Sequence, residues 1–412
     1  MKYVVLGASA AGINAIKVLR ELDENAQITL ISKDENIYSR CMLHHVISEH
    51  RTLQSLNFVE NDFDKKYNVN WIKGCSISSI DIENKFVSIL EADENISYDK
   101  LLIATGASSA MPPIKNLREA NFVYGLRNIE DAYKIREKSK TCKKVAILGA
   151  GLVGIDALVG LLENTKIKID VIYREPFILN RQLDDYSASV YEDGFKNKGV
   201  KFYPNASVKE ICIDENKNIT GVLLEDETYI QCDMAIIATG VVPNASFIDS
   251  SILNYDRGIK INNRCETNVK DIFAAGDVVG KNAIWPLAVK QGIVAGHNMV
   301  GNEKEIDDEF VFRNTMNFLG IPTVSLGIVD VIDENSIVKV RKDKESYKKF
   351  IIKDNILKGA IIQGDISYVG VFTYLIKNKV VVNDLENKIF DIGYSDFFSI
   401  KGNGEFCYNI WY

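Results

Sequence analysis

The chain has 412 residues, 46% of them hydrophobic and 25% charged. That length suits roughly two to four domains, and so ordinary a composition excludes a disordered or fibrous chain. With 49 Lys plus Arg against 56 Asp plus Glu the net charge is −7, so there is no basic footprint for a nucleic-acid backbone.

The first segment, KYVVLGASAAGINAIKVL from Lys2, places a lysine before an apolar run, as a signal peptide does. Its small-residue turn, followed by Ile13, Ile16 and Leu19 at helical spacing, instead predicts a strand, a turn and a helix. In that turn Gly7, Ser9, Ala10, Ala11 and Gly12 let the backbone approach a pyrophosphate and aim helix N–H groups at its charge. Ser9 stands where a middle glycine is usual, and close helix-on-strand packing is the competing explanation. The unit continues through ITLIS, ending at Ser32, to YDKLLIATGA, which contains Thr105 and Gly106.

Between these strands, Tyr38-Ser39-Arg40-Cys41-Met42-Leu43-His44-His45 predicts a helix starting directly after the second strand. A helix N-terminus and Arg40 would stabilise a thiolate at Cys41; the alternative is a buried structural cysteine. His44, His45 and His50 are spaced i, i+1 and i+6, which does not gather ligands on one side, so no metal is expected.

A lysine-rich stretch, Lys134 to Lys144, reads as a helix end and linker. The first pattern then returns as KKVAILGAGLVGIDALVGL from Lys143, with a complete GxGxxG at Gly149, Gly151 and Gly154 and with Leu152 and Val153 inside it. Four glycines and Asp156 argue for a buried strand-turn-helix here and against a membrane span, and no transmembrane segment is expected. IDVIYR and CDMAIIATGVVPN, with Thr239 and Gly240, complete the repeat. Two βαβ folds imply two nucleotides.

At the end of the second strand an acid usually takes the ribose hydroxyls. The two ends read Leu30-Ile31-Ser32 and Val171-Ile172-Tyr173-Arg174, with no acid in place. Arg174 either meets a 2′-phosphate, favouring NADPH, or is a surface arginine. DIFAAGDVV from Asp271 adds another strand-to-glycine piece. A polar run, Gly301 to Glu309, marks a boundary, and from Phe310 short apolar strands surround one helix near Val369 to Asn378, which predicts a separate α+β domain. Seven scattered cysteines without a CxxC pair suit a reducing, cytoplasmic setting.

Together, the two fingerprints, both ATG strands (Ala104-Thr105-Gly106 and Ala238-Thr239-Gly240), ILNRQLD at Ile178 to Asp184 and DIFAAGD resemble the FAD-dependent pyridine nucleotide-disulfide oxidoreductase superfamily. The resemblance spans essentially the full chain. It implies an α/β fold with two Rossmann-like domains and a C-terminal α+β interface domain, 306–412. An NAD(P)H-binding domain, 116–241, would be inserted in an FAD-binding domain, 1–115 and 242–305. FAD would sit on the first fold and NADH or NADPH on the second, with Arg127, Gly276 and Asp277 in the flavin-binding set. WPLAVKQG from Trp285, FRNTMNFLGIP from Phe312 and LKGAIIQGDISYVGVFTYLI from Leu357 are similar to the NADH:rubredoxin reductase and nitrite-reductase flavin-subunit branch. That likeness implies Trp285 and Gln291 near the isoalloxazine.

In the single-cysteine branch (NADH oxidase, NADH peroxidase, coenzyme A disulfide reductase) the redox cysteine occupies the place of Cys41, usually followed by Gly rather than Met42. The histidine of that branch's first glycine loop is Ala10 here, which argues against peroxide reduction. After Cys41 the next cysteine is Cys75, and Cys142 stands alone, which excludes the dithiol types of glutathione and thioredoxin reductase. In ferredoxin-reductase relatives a Lys–Glu pair beside flavin N5 occupies the places of His45 and Asp156, so these two are expected to pair.

The expectation is an FAD-dependent NAD(P)H oxidoreductase that passes electrons to a small redox protein or partner subunit. The alternatives are a thiol enzyme reducing a small disulfide such as coenzyme A disulfide through Cys41, and a flavin-binding regulatory protein. Relatives with such a C-terminal domain often pair through it, so a homodimer is a further possibility, with Tyr408, Trp411 and Tyr412 as packing or interface residues.

Overall fold

The computed structural model describes every residue except 91–93, 163–165, 281–282, 307–312, 332, 383–385 and 409–412. The apolar runs Lys2–Leu6 and Lys144–Leu148 lack a polar face, and each becomes the central strand of a five-stranded sheet. Strands buried on both faces are the mark of parallel sheets covered on either side. The first sheet runs Ile272–Ala274, Lys100–Ile103, Lys2–Leu6, Gln27–Ser32, Val69–Lys73, all neighbours parallel. The second runs Val123–Gly125, Met234–Ile237, Lys144–Leu148, Lys168–Ile172, Lys201–Tyr203, again parallel throughout.

The internal repeat therefore reaches sheet order. Each unit also carries a three-stranded antiparallel meander, Ile77–Asp81 with Phe86–Ile89 and Glu94–Ser97 in one, Val208–Ile213 with Ile219–Leu224 and Tyr229–Gln231 in the other. The chain passes between the units through an antiparallel ribbon of Ala107–Ser109 and Val241–Pro243. In the first unit the helix Ala10–Leu22 packs on Trp285–Met299. That contact needs Gly292, where a Cβ would lie 2.1 Å from the Ala11 carbonyl oxygen.

The C-terminal part is an antiparallel sheet ordered Arg313–Phe318, Ile321–Gly327, Ile356–Gln363, Tyr347–Lys353, Ile337–Lys342. Its helix Val369–Lys377 buries Phe372 and Leu375 against Phe350 and Ile362. Met316, Phe318 and Ile361 instead share a core with Tyr191 and Phe195 of the second unit. Polar ties complete that seam: Tyr191 donates to the Ile321 carbonyl at 2.6 Å, Gln363 to the Ser187 carbonyl at 3.1 Å, and Tyr347 to Asp184 at 2.6 Å. Asp184 also caps the helix Asp185–Lys196, so one carboxylate joins sheet to helix. Trp411 and Tyr412 lie outside the described residues, as does the side chain of Tyr408. Among the described residues no helix is long and apolar enough to cross a membrane.

Candidate functional site

Glycine chemistry forces both strand-to-helix turns. Gly7 adopts φ +111°, and a Cβ there would lie 2.2 Å from the Ala104 oxygen; one on Gly12 would lie 2.0 Å from the Gly7 oxygen. The second loop repeats this geometry, with Gly149 at φ +107° and 2.4 Å from the Ala238 oxygen, and Gly154 at 2.0 Å from the Gly149 oxygen. No side chain fits these four positions. Gly151 differs, since nothing lies within 4 Å of its missing Cβ; its bareness leaves room above the helix Leu152–Leu162, which Leu152 and Val153 open. Ser9 makes no side-chain cap on its own helix, which leaves the first N–H groups for a ligand.

A cavity of about 600 Å³ opens over the first loop. Gly7, Ser9, Ala10, Ala11, Ser32, Arg40, Cys41, Thr105, Gly106, Arg127, Gly276, Asp277 and Trp285 all line it. The Ser32 hydroxyl donates to the Asp34 carbonyl at 2.6 Å and accepts from the Trp71 indole at 2.8 Å, so it is already engaged. Asp34, two residues beyond the strand end, brings an acid to the cavity, held by Arg40 at 2.5 Å and Tyr38 at 2.8 Å. Sequence reasoning looked one register too early and missed it; the Lys-Asp-Glu run after Ser32 was the available signal.

Arg127, from the start of the second unit, pairs with Asp277 and donates through Nε to the Ala107 carbonyl at 2.9 Å. Gln291 lies behind this wall, 5% exposed, and its amide oxygen accepts the Gly276 N–H at 2.8 Å. It thus fixes the loop that carries Asp277. Trp285 stands edge-on to Phe58 at 4.8 Å between ring centroids. Thr105 donates to the Asn244 carbonyl at 2.7 Å, and Thr239 to the Ala110 carbonyl at 3.3 Å, so both ATG threonines tie strand ends to the linking ribbon. Gly240, at φ +121°, accepts the Ala110 N–H at 2.9 Å.

Cys41 departs from expectation. It lies in a single 3-10 turn, Arg40–Met42, before a four-residue helix, His44–Ile47. So short a helix offers little macrodipole, and Arg40 is committed to Asp34. Cys41 is exposed on the cavity wall, yet the surrounding protein desolvates its sulfur, and this first, then the carboxylate of Asp156, pushes the thiol up to about 11. That shift favours the thiol at neutral pH and weighs against the thiolate reading.

The histidine pairing is corrected as well. His44, not His45, reaches Asp156, with Nδ1 3.8 Å from Oδ1. The cause is Gly160: a Cβ there would lie 2.8 Å from the His44 carbonyl oxygen, so the bare helix of the second unit approaches the short helix of the first. Asp156, one turn earlier, then faces His44. The His45 ring lies against His44 at 4.0 Å between centroids, with Arg51 and His50 beside it. Burial pushes Asp156 up to about 7 and His44 down to about 4. At neutral pH the imidazole is therefore uncharged beside a carboxyl that is about half protonated, and His44 Nδ1 has no hydrogen bond. Among the described residues no three His, Cys, Asp or Glu are grouped to hold a metal ion.

On the second unit Tyr173 is buried and donates to Glu192 at 3.3 Å, while Arg174 is exposed. A dinucleotide needs close backbone approach, free N–H donors and room for a flat ring. The first cradle supplies all three, so its residues fit FAD.

The family model described as pyridine nucleotide-disulphide oxidoreductase matches residues 1–292, and the rubredoxin NAD+ reductase C-terminal domain matches residues 313–380. The chain is 30% identical over 372 residues to the NADH-rubredoxin oxidoreductase of Clostridium acetobutylicum, covering 89% of this chain and 92% of that one. It is 28% identical to the nitrite reductase [NAD(P)H] of Bacillus subtilis, but spans only 46% of that protein's length. Among solved structures, the NADH:rubredoxin oxidoreductase from Clostridium acetobutylicum superposes with a TM-score of 0.77 at 28% identity, covering 95% of this chain and 99% of that one. A NAD-dependent persulfide reductase from A. fulgidus gives 0.84 at 23% identity over 94% of this chain and 78% of that one, a likeness of fold.

Proposed function

The chain belongs to the pyridine nucleotide-disulphide oxidoreductases, FAD-dependent enzymes acting with NAD(P)H, and from that premise we propose that it passes electrons on to a small redox protein or partner subunit. FAD binds within 1–115 and 242–305, the nicotinamide nucleotide within 116–241, and 306–412 forms the C-terminal domain. The observation that carries this reading is the meeting of the two cradles. Asp156 lies one turn inside the helix that starts at the second glycine loop, and it is close enough to raise the pKa of Cys41, which lines the first cavity. A nicotinamide nucleotide held on the second loop would thus lie on the side of that unit that faces the flavin cavity.

Bound FAD supplies hydride acceptance and electron release. The protein's part is placement. Asp277, paired with Arg127, takes the ribityl-pyrophosphate region, Trp285 closes the ring end, and Asp156 with His44 holds an exchangeable proton at the junction of the folds. The match to NADH-rubredoxin oxidoreductase over nearly its whole length supports a redox-protein acceptor, and seven scattered cysteines without a CxxC pair support a reducing, cytoplasmic setting.

The second reading, disulfide reduction through Cys41, is opposed by burial and Asp156, which hold the sulfur protonated. Cys41→Ser separates the two. Turnover of NAD(P)H with rubredoxin or a dye acceptor should survive the change. Abolished turnover, together with loss of a thiolate-to-flavin absorption band, would overturn the electron-transfer reading. Flavin reduction taking many minutes in stopped flow would favour a regulatory flavoprotein instead.

A further inference from the structure

The second glycine loop is braced from outside its own sheet. In the first unit the brace is a helix: Gly292 of Trp285–Met299 packs on the Ala11 carbonyl, where a Cβ would lie 2.1 Å from the oxygen. The second loop leans on the turn 178–184. Leu179 N–H donates to the carbonyl of Ala150, inside the loop, at 2.8 Å, and Gln182 and Leu183 close the turn by donating to the Leu179 carbonyl at 2.8 and 2.9 Å. Leu179 takes φ +55°, a left-handed conformation that a residue other than glycine seldom keeps unless its surroundings hold it there. Ile178, Leu179 and Leu183 are at most 1% exposed and share the core of the second unit with Ala150. The turn is therefore a stiff block.

Its far end is held by the C-terminal domain. The Asp184 carboxylate accepts the Tyr347 hydroxyl at 2.6 Å and pairs with the Lys349 ammonium at 3.1 Å, both from the strand Tyr347–Lys353. Lys349 also donates to the Val329 carbonyl at 3.1 Å, and the Lys349 and Asp184 side chains are only 11% and 16% exposed. A charge pair so sheltered, with a hydroxyl on the same carboxylate, fixes one orientation where apolar contact alone tolerates several. One continuous route thus runs from the C-terminal sheet through Asp184 and the turn to Ala150. Tyr191, whose hydroxyl donates to the Ile321 carbonyl, ties the same seam about two helical turns beyond Asp184.

We propose that the C-terminal domain sets the nicotinamide cradle, with Tyr347 and Lys349 as positioning residues that hold the second glycine loop through Asp184. The inference rests on the nicotinamide site proposed above. Backbone N–H groups bind a pyrophosphate only as well as the loop aims them. A loop released at Ala150 keeps its residues and loses that aim, which weakens binding and leaves the later chemistry alone.

The test compares Tyr347→Phe and Lys349→Met with Tyr191→Phe in the FAD-loaded full chain. Tyr191→Phe cuts a tie of the same seam away from the turn and serves as the stability control. Hydrogen exchange across 148–155 should quicken in the first two variants and stay parental in the control. Kd for NAD+ or NADP+, titrated by calorimetry, should rise about 3- to 10-fold in the first two, a fraction of what a hydrogen bond to a charged group contributes. Flavin content and the flavin reduction rate at saturating nucleotide should hold. If all three variants lower the melting temperature and none moves loop exchange or Kd, the seam is merely structural and the inference is overturned. An equal rise of Kd in the control overturns it too. Quickened loop exchange in a protein whose parent binds neither nucleotide sinks the proposed function and leaves the brace standing. Flavin reduction by NADH or NADPH, with loop exchange indifferent to Tyr347 and Lys349, does the reverse.

Discussion

Replacing Asp156 by Asn should stabilise the FAD-loaded protein progressively as pH rises from acid to neutral. Burial raises this carboxyl from 3.8 to about 7. Between those values the folded chain keeps a proton that the unfolded chain releases, so each pH unit in the interval costs the fold about 1.4 kcal/mol. The penalty is absent below the unfolded value and complete above about 7, where it approaches 4 kcal/mol as an upper bound. The side chain is 25% exposed, and solvent trims that figure. His44 acts in the opposite sense. Its folded value of about 4 lies below the ordinary 6.5, so it weakens the fold in acid and ceases to do so as pH rises past 6.5. In the parent the two slopes offset one another; in Asp156→Asn the His44 slope stands alone. For 412 residues the unfolding entropy makes 1 kcal/mol worth about 1 °C. Apart from a constant offset from the amide, the variant should therefore gain about 2 to 4 °C on the parent between pH 4 and pH 8. Paired thermal melts in excess FAD read this directly. A gap that stays flat with pH, or that narrows toward pH 8, would refute a buried carboxyl that keeps its proton.

Four further outcomes follow from the same geometry. In Gly12→Ala the new methyl meets the Gly7 oxygen at 2.0 Å, so the loop must move and the purified protein should carry far less flavin, measured as the flavin-to-protein absorbance ratio. Gly151→Ala adds a methyl to open space, so flavin content and melting temperature should stay at parental values while KM for the nicotinamide nucleotide rises; a fall in melting temperature would show that Gly151 serves the fold. With its thiol pushed up to about 11, Cys41 of the flavin-stripped protein should react slowly with iodoacetamide at pH 7 and about tenfold faster per pH unit above it, and rapid labelling at pH 7, mapped by mass spectrometry, would contradict that. Tyr347→Phe removes the 2.6 Å bond to Asp184 at a cost of about 1 to 2 kcal/mol, and hydrogen exchange should quicken in the helix Asp185–Lys196 while the first unit is unaffected.

What could be read from the amino-acid order alone was mostly backbone. Gly7, Gly12, Gly149 and Gly154 are dictated by contacts under 2.5 Å between the would-be Cβ and a carbonyl, so no other residue can stand there and the spacing is visible in one sequence. The helix predicted near Val369 appears as Val369–Lys377 for a similarly local reason, an apolar stripe at helical spacing. The short strand Val123–Gly125 was not visible, because three residues carry no period and its partner is Met234–Ile237, far along the chain. Nor could neighbouring positions on a helix be separated. Whether His44 or His45 faces Asp156 is decided by where Gly160 lets the two units touch, and that contact has no signature in the spacing of the histidines.

Charge next to a reactive group in sequence is a poor guide to charge next to it in space. Arg40 precedes Cys41 and suggests a thiolate, but Asp34 claims the guanidinium, while Asp156 arrives from the other unit and works the opposite way. An arginine can lower a thiol pKa or bind a phosphate only with donors that the fold has not already assigned. By that criterion the electrostatics of the first cradle favour the ribose hydroxyls of FAD and a protonated sulfur.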